Sequence, residues 1–302
     1  MPRMAHSPSA DTRLPLGGEV GHYENFPVAS LLCPPRLRPA VTALYHFART
    51  ADDIADEGPA DAPQRLADLA AYRASLDAAL AGQPVLRWAG VFGPLAQAAQ
   101  RHALPAGLLH DLISAFEQDV RHTANGHRYA DQAELLAYCR LSANPVGRLL
   151  LHLYGVTDAQ ALRQSDQICS ALQLINFWQD ISVDLPRQRH YLPADALARH
   201  GLVVEDFARD EAVLDAPRAA LVRELCEQAR ALMLAGAPLV RRVPGRAGWE
   251  LRLVVHGGLR VLERIAAIGH HSWQQRVTLG AADAPRLLWR AWRHPVPAAT
   301  SG

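Results

Sequence analysis

Apolar residues recur at spacings of three and four along almost the whole 302-residue chain, and runs in which Val, Ile and Thr alternate with polar residues are missing. That period marks one face of an α-helix, so the pattern predicts an all-α fold. The periodic stretches place about ten helices, over 38–57, 62–81, 86–102, 105–122, 131–153, 157–183, 193–198, 203–208, 216–240 and 246–279, with a short tail helix near 283–293. Gly58-Pro59, Gly82, Pro105, Gly126, Gly155, Pro186, Pro193 and Pro244 punctuate them. No repeat with a period of about 20 to 50 residues occurs, which argues against a solenoid and for a single domain over 1–302, with its working core at about 22–279 and loose ends at about 1–20 and 295–302.

Two stretches interrupt the apolar pattern with oxygen-bearing side chains. In ARTADDIADE, residues 48 to 57, Asp52 and Asp56 stand one turn apart on one helical face, and Arg49 and Tyr45 continue that stripe backward. Asp53 falls to one side. In QLINFWQDISVDLPRQRHYLP, residues 173 to 193, Gln173, Asn176, Asp180 and Asp184 follow at steps of three, four and four. Leu172, Ile175, Phe177, Trp178 and Ile181 surround that second stripe, so its carboxylates approach the core, where an unpaired charge is expensive. Pro186 ends the helix, and Arg187, Arg189 and Tyr191 follow as a cationic exit segment. Two facing D-x-x-x-D helices make a hard-oxygen site suited to Mg²⁺, which takes one or two carboxylates and completes its shell with water and phosphate oxygens. The ligand this points to is a diphosphate, with arginines gripping its remaining oxygens.

Composition narrows the alternatives. The chain carries 31 basic and 30 acidic residues, so no overall field recruits nucleic acid or an anionic membrane. All the basic residues are Arg, a composition bias that lowers the information in any single one. The four cysteines, Cys33, Cys139, Cys169 and Cys226, form no C-x-x-C pair, which fits a reducing cytoplasm. The first twenty residues lack the apolar centre of a secretory signal, and no uninterrupted apolar window is long enough to span a bilayer. No H-E-x-x-H, G-x-S-x-G or strand-flanked G-x-G-x-x-G is present, leaving zinc hydrolysis, serine nucleophile chemistry and dinucleotide binding without sequence support.

From about residue 22 to 279 the chain resembles the squalene and phytoene synthase family of isoprenoid synthases. The resemblance rests on four motifs in order: YHFARTADDIADE at 45–57, FEQD at 116–119, YCRLSANPVG at 138–147, and the QLINFWQDISVD helix with its RQRHYLP exit. It implies the isoprenoid synthase helical bundle around a central apolar cavity, with Mg²⁺ held by Asp52, Asp56, Asn176, Asp180 and Asp184. The catalytic residues it implies are Tyr45, Arg49, Tyr138, Asn144, Gln173, Arg189 and Tyr191. HYENFPVAS at 22–30, Asn144-Pro145 and Gln179 resemble the hopanoid-pathway branch, which turns presqualene diphosphate and water into hydroxysqualene without a nicotinamide cofactor. In that setting the neighbouring enzymes are a presqualene diphosphate synthase and a flavin-dependent hydroxysqualene reductase.

Within this reading the Asn144 amide, in a motif the family uses to line its cavity, suits the task of holding the attacking water; a helix-bending Asn-Pro step with no chemical role explains the residue equally well. Phe26, Tyr45, Phe116 and Tyr138 offer ring faces to a cation, although Phe116 suits core packing better. The tail RLLWRAWRHP, 286–295, alternates Trp and Leu with Arg, as the packed last helix of a bundle does and as a segment resting on the inner face of a membrane during product release would. Three rival readings remain: a squalene or phytoene synthase that condenses two prenyl diphosphates, a class I terpene cyclase, and a non-enzymatic assembly or binding factor. Retention of the four aspartates argues against the last.

Overall fold

Proline and aspartate fix where the helices begin. Pro39, Pro63 and Pro145 occupy first-turn positions, where a missing N–H costs nothing, and Asp61, Asp131 and Asp158 accept hydrogen bonds from the free backbone N–H groups of Gln64, Glu134 and Ala161. The computed structural model describes residues 33–293. Among them run α1 (Arg38–Asp56), α2 (Ala62–Leu80), α3 (Ala89–His102), α4 (Ala106–Asn125), α5 (Gln132–Ser142), α6 (Asn144–Leu153), α7 (Ala159–Gln179), α8 (Ile181–Asp184), α9 (Ala194–Arg199), α10 (Asp215–Gly236), α11 (Gly245–Ala267) and α12 (Ala284–Arg293). Phe26 and the 22–30 segment lie outside the described residues.

The helices bury two apolar clusters. One gathers α1 to α4 and α6 around Phe47, Tyr72, Phe92, Leu95 and Leu109, with the Tyr72 ring stacked on Phe47 and its hydroxyl donating to the Phe47 carbonyl at 3.0 Å. The other gathers α5, α7, α10 and α11 around Trp178, Leu174, Leu221, Met233 and Val255. α7 and α10 pack closely because Gly236 has no side chain: a Cβ there would stand 2.6 Å from the Gln164 carbonyl oxygen. Gly236→Ala should therefore cost about 1–3 kcal/mol of stability, read as a lower denaturation midpoint with unchanged slope.

Several helix boundaries differ from the periodic reading, each for a local reason. The predicted 131–153 helix divides at Ala143, because Pro145 has no N–H to give and its ring crowds the preceding turn. The 157–183 helix divides at Asp180, whose backbone (φ −104°, ψ 15°) departs from helical values, yet Asp180 and Asp184 still donate to the carbonyls four residues back. The stripe of Gln173, Asn176, Asp180 and Asp184 is thus kept. α10 gives way to a 3₁₀ turn over Ala237–Arg241 at Pro238, and 203–208 is 3₁₀ rather than α. The last long helix stops at Ala267, where Gly269 and His270 take positive φ, and residues 271–280 run back across the bundle instead of continuing it.

Candidate active site

A cavity of about 830 Å³ opens between the two apolar clusters, large among small-molecule sites. α1 brings Arg49, Asp52, Asp56 and, just past its end, Glu57; α4 brings Phe116 and Asp119; α5 brings Tyr138. α7 and α8 bring Gln173, Asn176, Asp180 and Asp184, and the exit segment brings Arg187, Arg189 and Tyr191. The two aspartate pairs, 128 positions apart in the case of Asp52 and Asp180, therefore line one space.

Arginines stand on these carboxylates. Arg49 reaches Asp52 at 3.1 Å, Asp53 at 2.7 Å and Glu57 at 2.6 Å, so its charge is spread over three acids of its own helix end. Arg189 crosses from the exit segment to Asp56 at 2.6 Å. It is aimed there by Gln188, which takes left-handed backbone angles (φ 61°, ψ 29°) normally reserved for Gly or Asn, and by a backbone bridge between His190 and Arg128. Arg276, in the segment after α11, holds the Asp180 carboxylate through Nε and Nη2, and the buried Gln179 amide donates to the Val277 carbonyl at 2.6 Å to pin that segment. Arg65, although in the lining, is spent on the backbone carbonyls of Ile54, Glu57, Gly58 and Ala60 that end α1.

Negative charge is nonetheless in excess in a poorly hydrated space. Burial first, and then the neighbouring Asp56, push the Asp52 carboxyl up to about 7 against the pull of Arg49; burial and Asp180 push Asp184 up to about 7. Asp119 is also raised to about 7 by burial, although the Tyr138 hydroxyl donates to it at 2.8 Å. These three groups bind protons more tightly folded than unfolded, so their contribution is fully present below about pH 4 and is lost as pH rises toward 7. With EDTA present, the melting temperature should be lower at pH 8 than at pH 6, and Mg²⁺ with inorganic diphosphate should narrow that gap in a scanning fluorimetry series.

The donor set is all oxygen and hard, which fits Mg²⁺ and does not fit a thiophilic metal. Among the described residues no three acidic, His or Cys side chains converge tightly enough to hold an ion by themselves. That suits a cation that binds one or two carboxylates and takes the rest of its shell from water and a ligand's phosphate oxygens.

Away from the carboxylates the walls are mostly apolar, with Leu112, Ala115, Phe116, Val120, Val146, Leu172 and Phe177 beside Thr123 and Ser142. Tyr191 lies flat on Phe177, with ring centroids 3.7 Å apart, and Tyr138 and Tyr129 complete an aromatic group at 6.1–6.4 Å. Such ring faces stabilise a passing cation. Phe116 both packs in the core and reaches the cavity.

Two sequence-predicted residues do not join the lining. Tyr45 is half-buried one turn before Arg49, on α1 but outside the cavity wall. Asn144 is buried, with its amide oxygen taken by the Ser170 hydroxyl at 2.9 Å, while its neighbours Ala143 and Val146 form the wall instead. The Asn-Pro break turns this side chain toward α7, so it ties two helices rather than presenting an acceptor to the cavity. Three residues absent from the sequence-based set are present: Asp119, Arg276 and Phe177. Asp119 was visible in the FEQD motif but has no periodic acidic partner, and nothing local to Arg276 signals its contact with Asp180.

The model of the squalene/phytoene synthase family matches residues 20–292. The hydroxysqualene synthase of Sinorhizobium fredii is 36% identical over 221 residues, 73% of this chain and 71% of that protein. The hydroxysqualene synthase of Zymomonas mobilis is 38% identical over 201 residues, 64% of this chain and 63% of its own length. The crystal structure of squalene synthase HpnC from Alicyclobacillus acidocaldarius superposes with a TM-score of 0.72 at 35% identity, covering 82% of this chain and 90% of that one. The helices are those of an isoprenoid synthase, and the chain belongs to the squalene/phytoene synthase family.

Proposed function

We propose that this protein is a hydroxysqualene synthase, converting presqualene diphosphate and water to hydroxysqualene and diphosphate. The observation that carries the reading is the division of one cavity into a carboxylate and arginine mouth and an aromatic, aliphatic interior, the two halves of a prenyl diphosphate. Likeness to the two hydroxysqualene synthases selects this member of the family's chemistry.

In this mechanism Asp52, Asp56, Asn176, Asp180 and Asp184 would hold Mg²⁺, whose Lewis acidity neutralises charge on the departing diphosphate. Arg187, Arg189 and Arg276 grip the diphosphate as its carbon–oxygen bond breaks. The resulting cyclopropylcarbinyl cation opens its ring against the faces of Phe177, Tyr138 and Tyr191, in walls that hold back bulk water. A water oxygen then forms the new C–O bond, and its surplus proton has the diphosphate and the Asp119 carboxylate as acceptors in the same cavity. Asn144 has no step here.

Presqualene diphosphate with Mg²⁺ in labelled water should yield hydroxysqualene carrying the label, at a rate and in a form that reduced nicotinamide does not change. Squalene formed only when reduced nicotinamide is added would overturn the reading, as would condensation of farnesyl diphosphate to a C30 product without added presqualene diphosphate. Asn144→Ala should lower the melting temperature and leave the alcohol fraction of the product unchanged. We further propose that the product leaves at the inner face of a membrane.

A further inference from the structure

The outer face of α12 is apolar and about half exposed or more. Of the six large hydrophobic residues exposed among the described residues, Leu288 (51%), Trp289 (48%) and Trp292 (71%) share this helix, whereas Leu86, Val203 and Val213 lie elsewhere. With the exposed Pro285 they fall at steps of three and four, which makes one stripe rather than a scatter. The opposite face is anchored. Ala291 is fully buried, Arg290 pairs with Glu263 on α11 at 2.6 Å, and Asp283, just before the helix, accepts from both Arg260 and Arg264. The stripe is therefore held outward by the fold.

The charge around it has one sign. APRLLWRAWR contains no acidic residue, Arg286 and Arg293 are exposed beside the stripe, and the Arg293 guanidinium lies over the Trp289 ring at 5.7 Å. Tryptophan suits a boundary where one side is apolar and the other wet, and flanking arginines suit anionic headgroups. No helix among the described residues is long and apolar enough to cross a bilayer, so the contact this face can make lies in the plane of the surface. Its position also fits: Arg276, in the cavity mouth, is eight residues before α12 begins, a span of at most about 30 Å.

We infer that α12 docks the protein on an anionic lipid surface through Leu288, Trp289 and Trp292, with Arg286 and Arg293 on the headgroups. The occupant is a lipid bilayer rather than a second copy, because a copy docked through the same face would set its own Arg286 and Arg293 against these, with no acidic residue on the helix to pair with them. The use of this docking, delivery of a water-insoluble C30 product close to the mouth, rests on the function proposed above.

The test is cosedimentation of the full chain with vesicles of equal parts phosphatidylglycerol and phosphatidylcholine. Wild-type protein should partition onto them, and less so as salt rises. The triple variant Leu288→Ser/Trp289→Ser/Trp292→Ser should lose at least about tenfold in partition while keeping its melting temperature and its turnover of presqualene diphosphate in detergent micelles. Arg286→Gln and Arg293→Gln should each lose about fivefold on the anionic vesicles and little on pure phosphatidylcholine. Equal partition of wild-type and triple variant would overturn the proposal. So would a dimer in sedimentation velocity that the triple variant dissolves while neither protein binds vesicles. If the vesicle contrast holds but presqualene diphosphate is not consumed, the docking surface stands and the functional reading falls.

Discussion

Asp180→Asn and Asp52→Asn should each reduce turnover of presqualene diphosphate by at least about 10³-fold while folding as the wild-type chain does. Losing a group that only orients a metal ligand typically costs about 10–100-fold, so losing a charged ligand should cost more. Volume is nearly preserved in both substitutions. The stability side points the opposite way from an ordinary buried-residue mutation. Asp52 is held in a space that already disfavours its charge, and its carboxyl is pushed up to about 7. An amide there removes a repulsion with Asp56 that exists at pH 8, so the Asp52→Asn protein should melt at a temperature no lower than wild type. Asp180→Asn instead frees Arg276 from its carboxylate partner and should loosen the segment pinned by Gln179, visible as faster amide exchange near Val277. Turnover close to wild type in either variant would end the assignment of these pairs as the metal site.

The two acidic stripes, each on one helix, and the exit segment that directly follows the second were legible in the chain; groups brought in from a distant segment were not. Asp52 and Asp56, or Asn176, Asp180 and Asp184, share a face because a helix repeats every 3.6 residues, and that geometry survived even the break at Asp180. The fold class was legible for the same reason. Arg276 was hidden because its segment follows a helix whose apolar period runs on past Ala267. Only the positive φ at Gly269 and His270 turns the chain back, 96 residues after Asp180, to reach it. Which way Asn144 faces was left open by the sequence. Sequence places it in a motif of cavity residues, yet which side of a helix start faces the cavity depends on how Pro145 bends the chain, and the bend gives the wall to Ala143 and Val146. Periodicity locates a face; it does not say what that face meets.

Arg189→Ala should lower kcat/KM by about 10²-fold, the scale of one charged contact that strengthens as a leaving group gains charge. Arg189 is 2.6 Å from Asp56 and lowers the proton affinity of Asp52, Asp119 and Asp184, so it is the cation shared by both aspartate pairs. Gln188 takes left-handed backbone angles at the turn that aims it, a conformation that costs a residue with a side chain about 1–3 kcal/mol. Gln188→Gly should relieve that strain without loss of turnover. Arg189→Lys should recover only part of the lost rate, since an ammonium keeps the charge but not the two-pronged grip on phosphate oxygens. A second readout separates this role from a structural one. Without Arg189 the three carboxyls should bind protons more tightly still, so in EDTA the fall in melting temperature with rising pH should become larger and extend to higher pH than in wild type. A stability loss above about 3 kcal/mol with unchanged kcat/KM would make Arg189 a structural arginine and return the diphosphate grip to Arg187 and Arg276.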